Sequence, residues 1–343
     1  MSYSNILNQL IAGQNLDSET MLTTMRQVMG GELTPAQISA LLIALRIKGE
    51  TVDEIAAAAS VMRELSTKVT IADSQYLIDT CGTGGDGIQT FNVSTLSAFI
   101  AAAAGAKVAK HGGRSVSSTC GSADVLEALG VNVNQTPEQV ANCVNTIGVG
   151  FMFAPNHHSA MKHAAPIRRE LGVRTMFNLL GPLTNPANAK RQVMGVFSAA
   201  LTGKLAHVLK ALGSEHVMVI CGADGMDEIS FTGNTFVAEL KNGVVSEYTL
   251  NPQQFGMPLH ALASIQIADA AASKAMILDV LAGKKETANQ AAARDIVLLN
   301  AGAAIYVAGI VNTLQDGIYK AAKVIDDGSA MQKLNALIAA THA

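Results

Sequence analysis

The residues best suited to chemistry in this sequence begin with a glycine-rich segment at 79–87, which reads DTCGTGGDG. It follows a short apolar run that predicts a β-strand and precedes a predicted helix that begins near 92–95. Glycines let backbone N–H groups approach an anion closely, and the N-terminus of the next helix adds partial positive charge. The segment therefore predicts a site for a phosphate-bearing ligand.

The same segment also matches the dinucleotide fingerprint G-x-G-x-x-G through Gly82, Gly84 and Gly87. Two features disfavour a Rossmann oxidoreductase. The next predicted strand ends at 108–112 without the acidic residue that binds a ribose. Asp86 stands inside the loop, where it would repel a pyrophosphate unless a cation lay between them. Because no Gly-Lys-Ser/Thr follows, a Walker loop is excluded; a plain glycine-rich turn stays open.

A second candidate segment, 110–118, reads KHGGRSVSS and is followed by Gly121 and Ser122. It comes directly after the next predicted strand, so in a parallel sheet it lies at the same edge as the first loop. Lys110 and Arg114 supply positive charge, and the serines supply hydroxyl donors. This combination suits a highly phosphorylated small molecule, the alternative being a solvated basic turn.

A pair of adjacent acids, Asp227 and Glu228, forms the third candidate. Adjacent carboxylates repel each other, and oxygen-only ligands fit Mg²⁺, which binds through one or two carboxylates together with substrate phosphates. The alternative is a solvated acidic loop. No His/Cys set has zinc spacing, since the segment around His157 and His158 is not H-E-x-x-H.

A basic, helical segment at 157–170 is the fourth candidate. Its Arg168 is suited either to a bidentate contact with a substrate carboxylate or to a surface salt bridge. The sequence contains no nucleophile elbow, which argues against covalent acyl chemistry.

Composition restricts the classes of function. The 343 residues are 49% hydrophobic and 15% charged, which argues against intrinsic disorder. A net charge of −3, no Trp and 4% aromatic residues disfavour nucleic-acid binding. The four cysteines form no C-x-x-C pair and no signal peptide precedes them, so we expect reduced thiols and a cytoplasmic location. The apolar stretch 291–311 contains Arg294 and Asp295, which predicts a buried helix rather than a membrane span.

The elements that must position these residues change in character along the chain. Capping boxes at 34–37 and 51–54, each followed by apolar residues at helical spacing, predict an all-helical N-terminal region. Strands then alternate with helices, which predicts a mostly parallel sheet. The predicted strands lie at 76–80, 108–110, 131–133, 149–153, 193–197 and 217–221. The predicted helices between them lie at 95–104, 123–129, 137–147 and 201–212.

An Asn-Gly turn at 242–243 predicts a hairpin at one sheet edge, and the chain from Asp269 onward is predicted to be helical. The predicted fold class is α/β, with a small helical domain at 1–72 and a larger α/β domain at 73–343. Helices at about 160–185 are candidates to join the smaller domain.

Considered together, the motifs resemble those of the anthranilate phosphoribosyltransferase family over nearly the whole chain. The resemblance rests on 82–86 (GTGGD), 92–95 (NVST), 110–118, 151–155 (FMFAP) with His158, 174–182 (RTMFNLLGP) and the acids at 227–228. It implies a helical domain joined by a hinge to an α/β domain of the nucleoside phosphorylase and phosphoribosyltransferase type. It also implies a homodimer, and association with anthranilate synthase.

The reaction that the resemblance implies is transfer of phosphoribose from 5-phosphoribosyl 1-diphosphate to the amine of anthranilate, in tryptophan biosynthesis. Bond breaking at C1 would be dissociative, with fixed charges stabilising the departing diphosphate. We expect no single side chain to be an indispensable base. One alternative is a pyrimidine-nucleoside phosphorylase, which Lys110-His111-Gly112 and Arg168 disfavour. The other is a non-catalytic, nucleic-acid-binding relative, which the acids at 227–228 and the net charge of −3 disfavour.

The resemblance also assigns roles to residues. Around the phosphoribosyl diphosphate it places Gly82, Gly85, Asp86, Thr90, Asn92, Val93, Ser94, Thr95, Lys110, His111, Gly112, Gly113, Arg114, Ser115, Val116, Ser117, Ser118 and Ser122. Around anthranilate it places Gly82, His111, Gly113, His158, Arg168 and Pro182. Ser94, Asp227 and Glu228 would hold Mg²⁺, with two ions when the diphosphate is bound.

One position departs from the family pattern. The family usually reads Lys-His-Gly-Asn-Arg, whereas this chain has Gly113 in place of the Asn. An amide suited to contacting anthranilate is therefore missing, and we expect altered acceptor binding rather than loss of the reaction.

Overall fold

The computed structural model describes residues 2–114 and 120–343. Its N-terminal region is helical: α1 Tyr3–Ile11, α2 Ser18–Gly30, α3 Pro35–Lys48 and α4 Val52–Leu65. Both capping boxes expected from the sequence form, with Thr34 and Thr51 as the N-cap residues. Each cap satisfies backbone N–H groups that a helix start leaves without partners, which fixes where these helices begin.

The larger region is built on a seven-stranded sheet with the order β3-β2-β1-β4-β5-β6-β7. β1 to β5 run parallel to one another, whereas β6 pairs antiparallel with both β5 and β7. The strands are β1 Leu77–Gly82, β2 Lys107–Gly112, β3 Val149–Phe153, β4 Arg191–Gly195, β5 His216–Gly222, β6 Thr235–Lys241 and β7 Val244–Leu250. At the turn between β6 and β7, Asn242 and Gly243 both have positive φ, as a type I′ hairpin requires.

Helices cover both faces of the sheet. They are α5 Val93–Ala103, α6 Ser122–Leu129, α7 Pro137–Ile147, α8 Ala154–His157, α9 Ala165–Leu171, α10 Phe177–Leu180, α11 Thr202–Ala211, α12 Ala270–Leu281, α13 Ala288–Ala308, α14 Leu314–Asp326 and α15 Ser329–Thr341. Short 3₁₀ helices occupy Ser159–His163, Gly181–Leu183, Ala199–Leu201, Pro252–Phe255 and Leu262–Ile265.

One predicted strand is wrong. The run 131–133 is buried at Val131 and Val133 but forms an irregular connection between α6 and α7. The backbone N–H of Asn132 donates to the side chain of Thr341 instead of to a neighbouring strand. Its alternating valines therefore pack into the core from a loop, which the period-2 pattern alone does not distinguish from a strand.

Alternate side chains of the central strands enter two hydrophobic cores on opposite faces of the sheet. Met194 and Val219 belong to the core that includes the N-terminal helices, α11 and apolar residues of 164–183. Val193 and Ile220 belong to the core that includes α5 and α13–α15. Helix α13 is long and apolar enough to span a membrane, and 83% of its apolar window is buried inside the protein.

Candidate functional site

Three of the four candidate segments meet at one edge of the sheet. β1, β2 and β5 all run in the same direction, so their carboxyl ends lie together. The glycine-rich loop follows β1, the 110–114 segment ends β2, and the acidic pair lies in the loop after β5. Ligands of open α/β sheets bind outside the carboxyl ends of strands, and this edge is therefore the candidate site.

The glycine-rich loop is held directly against the acidic pair. Oδ2 of Asp227 accepts a hydrogen bond from the backbone N–H of Gly84 at 2.9 Å. A Cβ on Gly82 would overlap this carboxylate and lie 3.0 Å from its Cγ, and a Cβ on Gly195 would overlap the backbone carbonyl of Asp227. Gly82 and Gly195 are paired in adjacent strands, so the two missing side chains leave the space that Asp227 occupies.

Glu228 and Lys110 connect this cluster to the start of α5. Oε1 of Glu228 accepts the backbone N–H of Ser94 at 3.1 Å. The buried Nζ of Lys110 donates to the carbonyl of Thr80 and lies 3.3 Å from the hydroxyl of Ser94. The ammonium, the carboxylate and the helix N-terminus therefore meet around Ser94.

The carboxyl groups at this edge are crowded. Burial, and then the negative charge of Asp86, raises the pKa of Asp227 to about 7. Burial and the charge of Asp227 raise the pKa of Glu228 well above its usual range, and burial lowers the pKa of Lys110. Three acids with one neighbouring lysine are the arrangement that a bound cation would relieve.

The other residues predicted to bind phosphoribosyl diphosphate lie around this cluster. The side chain of Asn92 is held by the carbonyl of Cys120 and the hydroxyl of Ser273, while Thr90 forms an isolated β-bridge with Gln266. Val93 and Thr95 are buried in the first turn of α5. Gly112 packs against Ser122, and the carbonyl of Gly113 accepts the N–H of Ala123. The predicted contacts at Ser115, Val116, Ser117 and Ser118 fall on 115–119, outside the described residues.

Arg114 has partners of its own. Its guanidinium pairs with Asp124 at 3.1 Å and with Glu127 at 2.6 Å, and it lies 5.5 Å from the ring centroid of Phe153. These contacts hold Arg114 against α6 rather than against the glycine-rich loop.

The two histidines predicted to bind anthranilate, His111 and His158, lie next to each other. The ring centroids of His111 and His158 are 6.2 Å apart. Nδ1 of His111 lies 3.0 Å from Oδ2 of Asp79, a completely buried carboxylate in β1. The carbonyl of Pro182 lies 4.0 Å from the thiol of Cys81. Asp79 and Cys81 were not among the predicted site residues, although they lie within the glycine-rich motif.

Arg168 lies in α9 and stacks on Phe177 of α10 at 5.5 Å. Burial lowers its pKa. Among the described residues, the Arg168 guanidinium makes no hydrogen bond or ring contact with His111 or His158, so the structure does not by itself bring Arg168 together with the two rings.

Arg174 lies at the site but was not among the predicted site residues. Its guanidinium donates to the carbonyl of Gly85 and stacks 4.0 Å from the ring centroid of Phe197. It therefore links the segment between α9 and α10 to the glycine-rich loop. Its signal in the sequence was only its position at the start of the 174–182 motif.

The chain is similar to known proteins over nearly its whole length. A model of the glycosyl transferase family helical bundle domain matches residues 4–66, and a model of the glycosyl transferase family a/b domain matches residues 74–331. The anthranilate phosphoribosyltransferase of Methylobacillus flagellatus is 64% identical over 98% of this chain and 97% of its own length. The chain belongs to the anthranilate phosphoribosyltransferase family. The Chromobacterium violaceum member is 60% identical over 97% of this chain and 96% of its own.

Solved anthranilate phosphoribosyltransferases share the fold. The Thermus thermophilus structure matches with a TM-score of 0.92 and 40% identity, covering 98% of this chain and 99% of that one. A Saccharomyces cerevisiae structure in complex with PRPP and Mg matches with a TM-score of 0.89 and 27% identity, covering 99% and 98%. The resemblance and the fold class inferred from the sequence are thereby confirmed: a helical N-terminal domain and a larger α/β domain with a mostly parallel sheet.

Proposed function

We propose that this chain transfers the phosphoribosyl group of 5-phosphoribosyl 1-diphosphate to the amine of anthranilate, giving N-(5-phosphoribosyl)anthranilate and diphosphate, in tryptophan biosynthesis. The observation that carries this proposal is the convergence of the glycine-rich loop and the acidic pair at the N-terminus of α5. The family membership over nearly the whole chain supports the reaction and disfavours both the phosphorylase and the nucleic-acid-binding alternatives.

The donor would bind along the edge formed by the loop and α5. The N–H groups of Gly84 and Ser94 are already bonded to Asp227 and Glu228. The backbone N–H groups of 85–86 and the partial positive charge at the N-terminus of α5 would therefore face the phosphates of the donor. Lys110 adds a buried positive charge within reach of Ser94. The other proposed donor contacts are those expected from the sequence, apart from Arg114, whose partners on α6 would have to be exchanged for phosphate.

The residues at this edge fit a divalent cation. Asp227 and Glu228 supply oxygen ligands only. Burial and the neighbouring negative charges raise the pKa of both carboxyl groups, and a bound cation would offset both effects. Ser94 lies beside Glu228. We assign Mg²⁺ to these three residues, where it would offset the negative charge of the diphosphate, as suits a family whose yeast member has been solved with PRPP and Mg.

During the displacement, the C1–O bond breaks and negative charge grows on the departing diphosphate. Lys110 and the N-terminus of α5 are already fixed in place by hydrogen bonds to Thr80 and Glu228. Because these groups do not have to reorganise as the charge develops, they stabilise the transition state more than the ground state.

The acceptor would bind between the two histidines and the 168–182 segment. Arg168 would recognise the carboxylate of anthranilate, and His111, His158 and Pro182 would surround its ring. Gly82 and Gly113 would complete the pocket from the donor side. Stacking on Phe177 holds the Arg168 guanidinium in one orientation, which favours a bidentate contact.

Three further assignments rest on the resemblance. We propose a homodimer and a cytoplasmic location, and association with anthranilate synthase stays a prediction from the same source. Size-exclusion chromatography with light scattering would measure the assembly state directly.

The activity is tested by following the fluorescence of anthranilate with phosphoribosyl diphosphate and Mg²⁺. We expect consumption by the purified chain, loss of consumption after chelation, and recovery on adding Mg²⁺. In Arg168→Ala the anthranilate KM should rise sharply while the donor KM stays unchanged, with the exposed neighbour Arg169→Ala as control. No consumption by the folded wild-type chain would contradict the proposal, and an unchanged anthranilate dependence in Arg168→Ala would remove that residue from the site.

A further inference from the structure

We propose that Asp79 is a positioning residue that fixes the tautomer of His111, so that Nε2 of His111 accepts the proton that the acceptor amine loses. This inference rests on the proposed function. It concerns a buried pair beneath the site, since Asp79 lies in the middle of β1 and His111 lies near the end of the adjacent β2.

Both carboxylate oxygens of Asp79 accept hydrogen bonds from one residue. Oδ1 accepts the backbone N–H of His111 at 3.2 Å, and Oδ2 lies 3.0 Å from its ring Nδ1. The thiol of Cys81 also points to Oδ2, at 3.4 Å. The carboxylate therefore holds the backbone and the ring of His111 together, and the ring plane has little freedom to rotate.

The charge state of Asp79 determines which ring nitrogen carries the proton. Burial alone would raise its pKa, but the hydrogen bond from His111 and the charges of His111 and Lys110 hold the pKa below its usual value. An ionised carboxylate only accepts hydrogen bonds, so Nδ1 must be the donor. In the neutral ring, Nε2 then carries the lone pair.

Nε2 is available for this role. Within residues 2–114 and 120–343, Nε2 of His111 has no hydrogen-bond partner. Some fully buried polar atoms also lack a partner, but Nε2 of His111 is not one of these buried atoms. The ring stands next to His158, where the acceptor is proposed to bind. Nε2 of His111 is thus the proton acceptor at the site. The Asp79 carboxylate at Nδ1 balances the positive charge of the protonated ring.

The proton transfer balances without another reagent. The amine nitrogen forms a bond to C1 as the C1–O bond breaks, and the electron pair of that bond leaves with the diphosphate. The nitrogen, now positively charged, gives one N–H proton to Nε2. The resulting imidazolium faces the Asp79 carboxylate through Nδ1–H, and it later releases the proton to water. Because water also accepts a proton from an arylammonium group, His111 accelerates the step without being indispensable.

Asp79→Asn separates this role from simple packing. The backbone N–H of His111 is able only to donate, so the amide oxygen must stay opposite it. The amide NH₂ then faces Nδ1, which becomes an acceptor, and the ring proton moves to Nε2. The variant keeps the shape of the pair but exchanges the donor and acceptor roles of the two His111 ring nitrogens.

The matched control is Glu239→Gln. His216 and Glu239 form another His–carboxylate pair, with Nε2 and Oε1 2.8 Å apart, between β5 and β6 at the other end of the strands. It resembles the Asp79 pair in chemistry and lies away from the proposed site. If Asp79→Asn and Glu239→Gln both lose stability but only Asp79→Asn loses turnover, the effect on turnover does not come from the loss of stability.

We expect Asp79→Asn to lower kcat about a hundredfold, the low end of general-base contributions, with the phosphoribosyl diphosphate KM unchanged. In the ¹⁵N spectrum of the histidine rings, assigned with His111→Gln, wild type should show Nδ1–H and the variant Nε2–H. Glu239→Gln should keep wild-type kcat.

Two results would overturn the inference. One is a wild-type His111 that carries its proton on Nε2, which is measurable even if Asp79→Asn does not fold. The other is a folded Asp79→Asn variant with the reversed tautomer and wild-type kcat. Neither result affects the proposed function, which stands on anthranilate consumption by the wild-type chain.

Discussion

The carboxylate of Asp227 occupies the space where a side chain on Gly82 would be. A Cβ at Gly82 would overlap Oδ2 of Asp227 and lie 3.0 Å from its Cγ. The same oxygen accepts the N–H of Gly84. Gly82, the last residue of β1, therefore does more than free the loop backbone, because its missing side chain leaves space for the acid that we assign to the cation.

Gly82→Ala should accordingly move Asp227 while the fold is kept. We expect kcat/KM to fall on the order of a hundredfold, as a displacement of about 1 Å in an active site does. Steady-state kinetics, with circular dichroism to check folding, measures this. Gly233→Ala is the control, since a Cβ there meets no described atom within 4 Å. Equal activity of the two variants would show that the position of Asp227 is unimportant.

Arg174→Gln tests the link between the 172–176 segment and the glycine-rich loop. It removes the hydrogen bond to Gly85 and the stacking on Phe197. We expect the KM for phosphoribosyl diphosphate to rise roughly tenfold, which corresponds to about 1.4 kcal/mol. Because Arg174 is exposed, the melting temperature should change little. Arg169→Gln, also exposed, is the control; an unchanged donor KM in Arg174→Gln would rule out the link.

Gly113→Asn restores the residue that is usual in the family. A Cβ at Gly113 has no described heavy atom within 4 Å, so the first side-chain atom causes no clash with the described residues. We expect a lower KM for anthranilate and an unchanged melting temperature, measured by initial rates and thermal unfolding. If the anthranilate KM does not change, position 113 does not contribute to acceptor binding.

Glu239 provides a pH test of stability. Hydrogen bonds from His216, Tyr248 and Tyr306 outweigh the effect of burial and bring the pKa of Glu239 to about 2, against 4.5 when unfolded. The lowered pKa stabilises the fold fully above pH 4.5, and this contribution is lost as the pH falls towards 2. At pH 7, Glu239→Gln should therefore cost about 2–3 kcal/mol of unfolding free energy.

Urea unfolding of wild type and Glu239→Gln at several pH values between 7 and 3 measures the difference. It should be largest at neutral pH and should shrink below pH 4.5. A difference that stays constant over this range would contradict the lowered pKa of Glu239.

Much of the site was predictable because it follows from the direction of the strands. Parallel strands place their carboxyl ends at one edge, so loops near Asp86, Lys110 and Asp227 had to be close. The family motifs added the roles of these residues, but those roles stay predictions at the level of single side chains.

What the sequence did not reveal depends on contacts between distant segments. Gly195 is important only because β4 pairs with β1, and Arg174 only because its segment crosses the glycine-rich loop. The strand predicted at 131–133 is wrong because its polar partner is Thr341, 209 residues away in sequence. Arg114 has charge suited to phosphate, yet its pairing with α6 depends on tertiary structure.

Titration calorimetry with phosphoribosyl diphosphate, with and without Mg²⁺, tests most directly whether the glycine-rich loop and the acidic pair form one donor site. Glu215→Gln is the control, because Glu215 is exposed and lies at the amino end of β5, away from the proposed site. Wild type and this control should bind the donor more tightly with Mg²⁺. The double variant Asp227→Asn, Glu228→Gln should lose that Mg²⁺ dependence. Retention of the full Mg²⁺ effect by the folded double variant would contradict a shared donor and cation site.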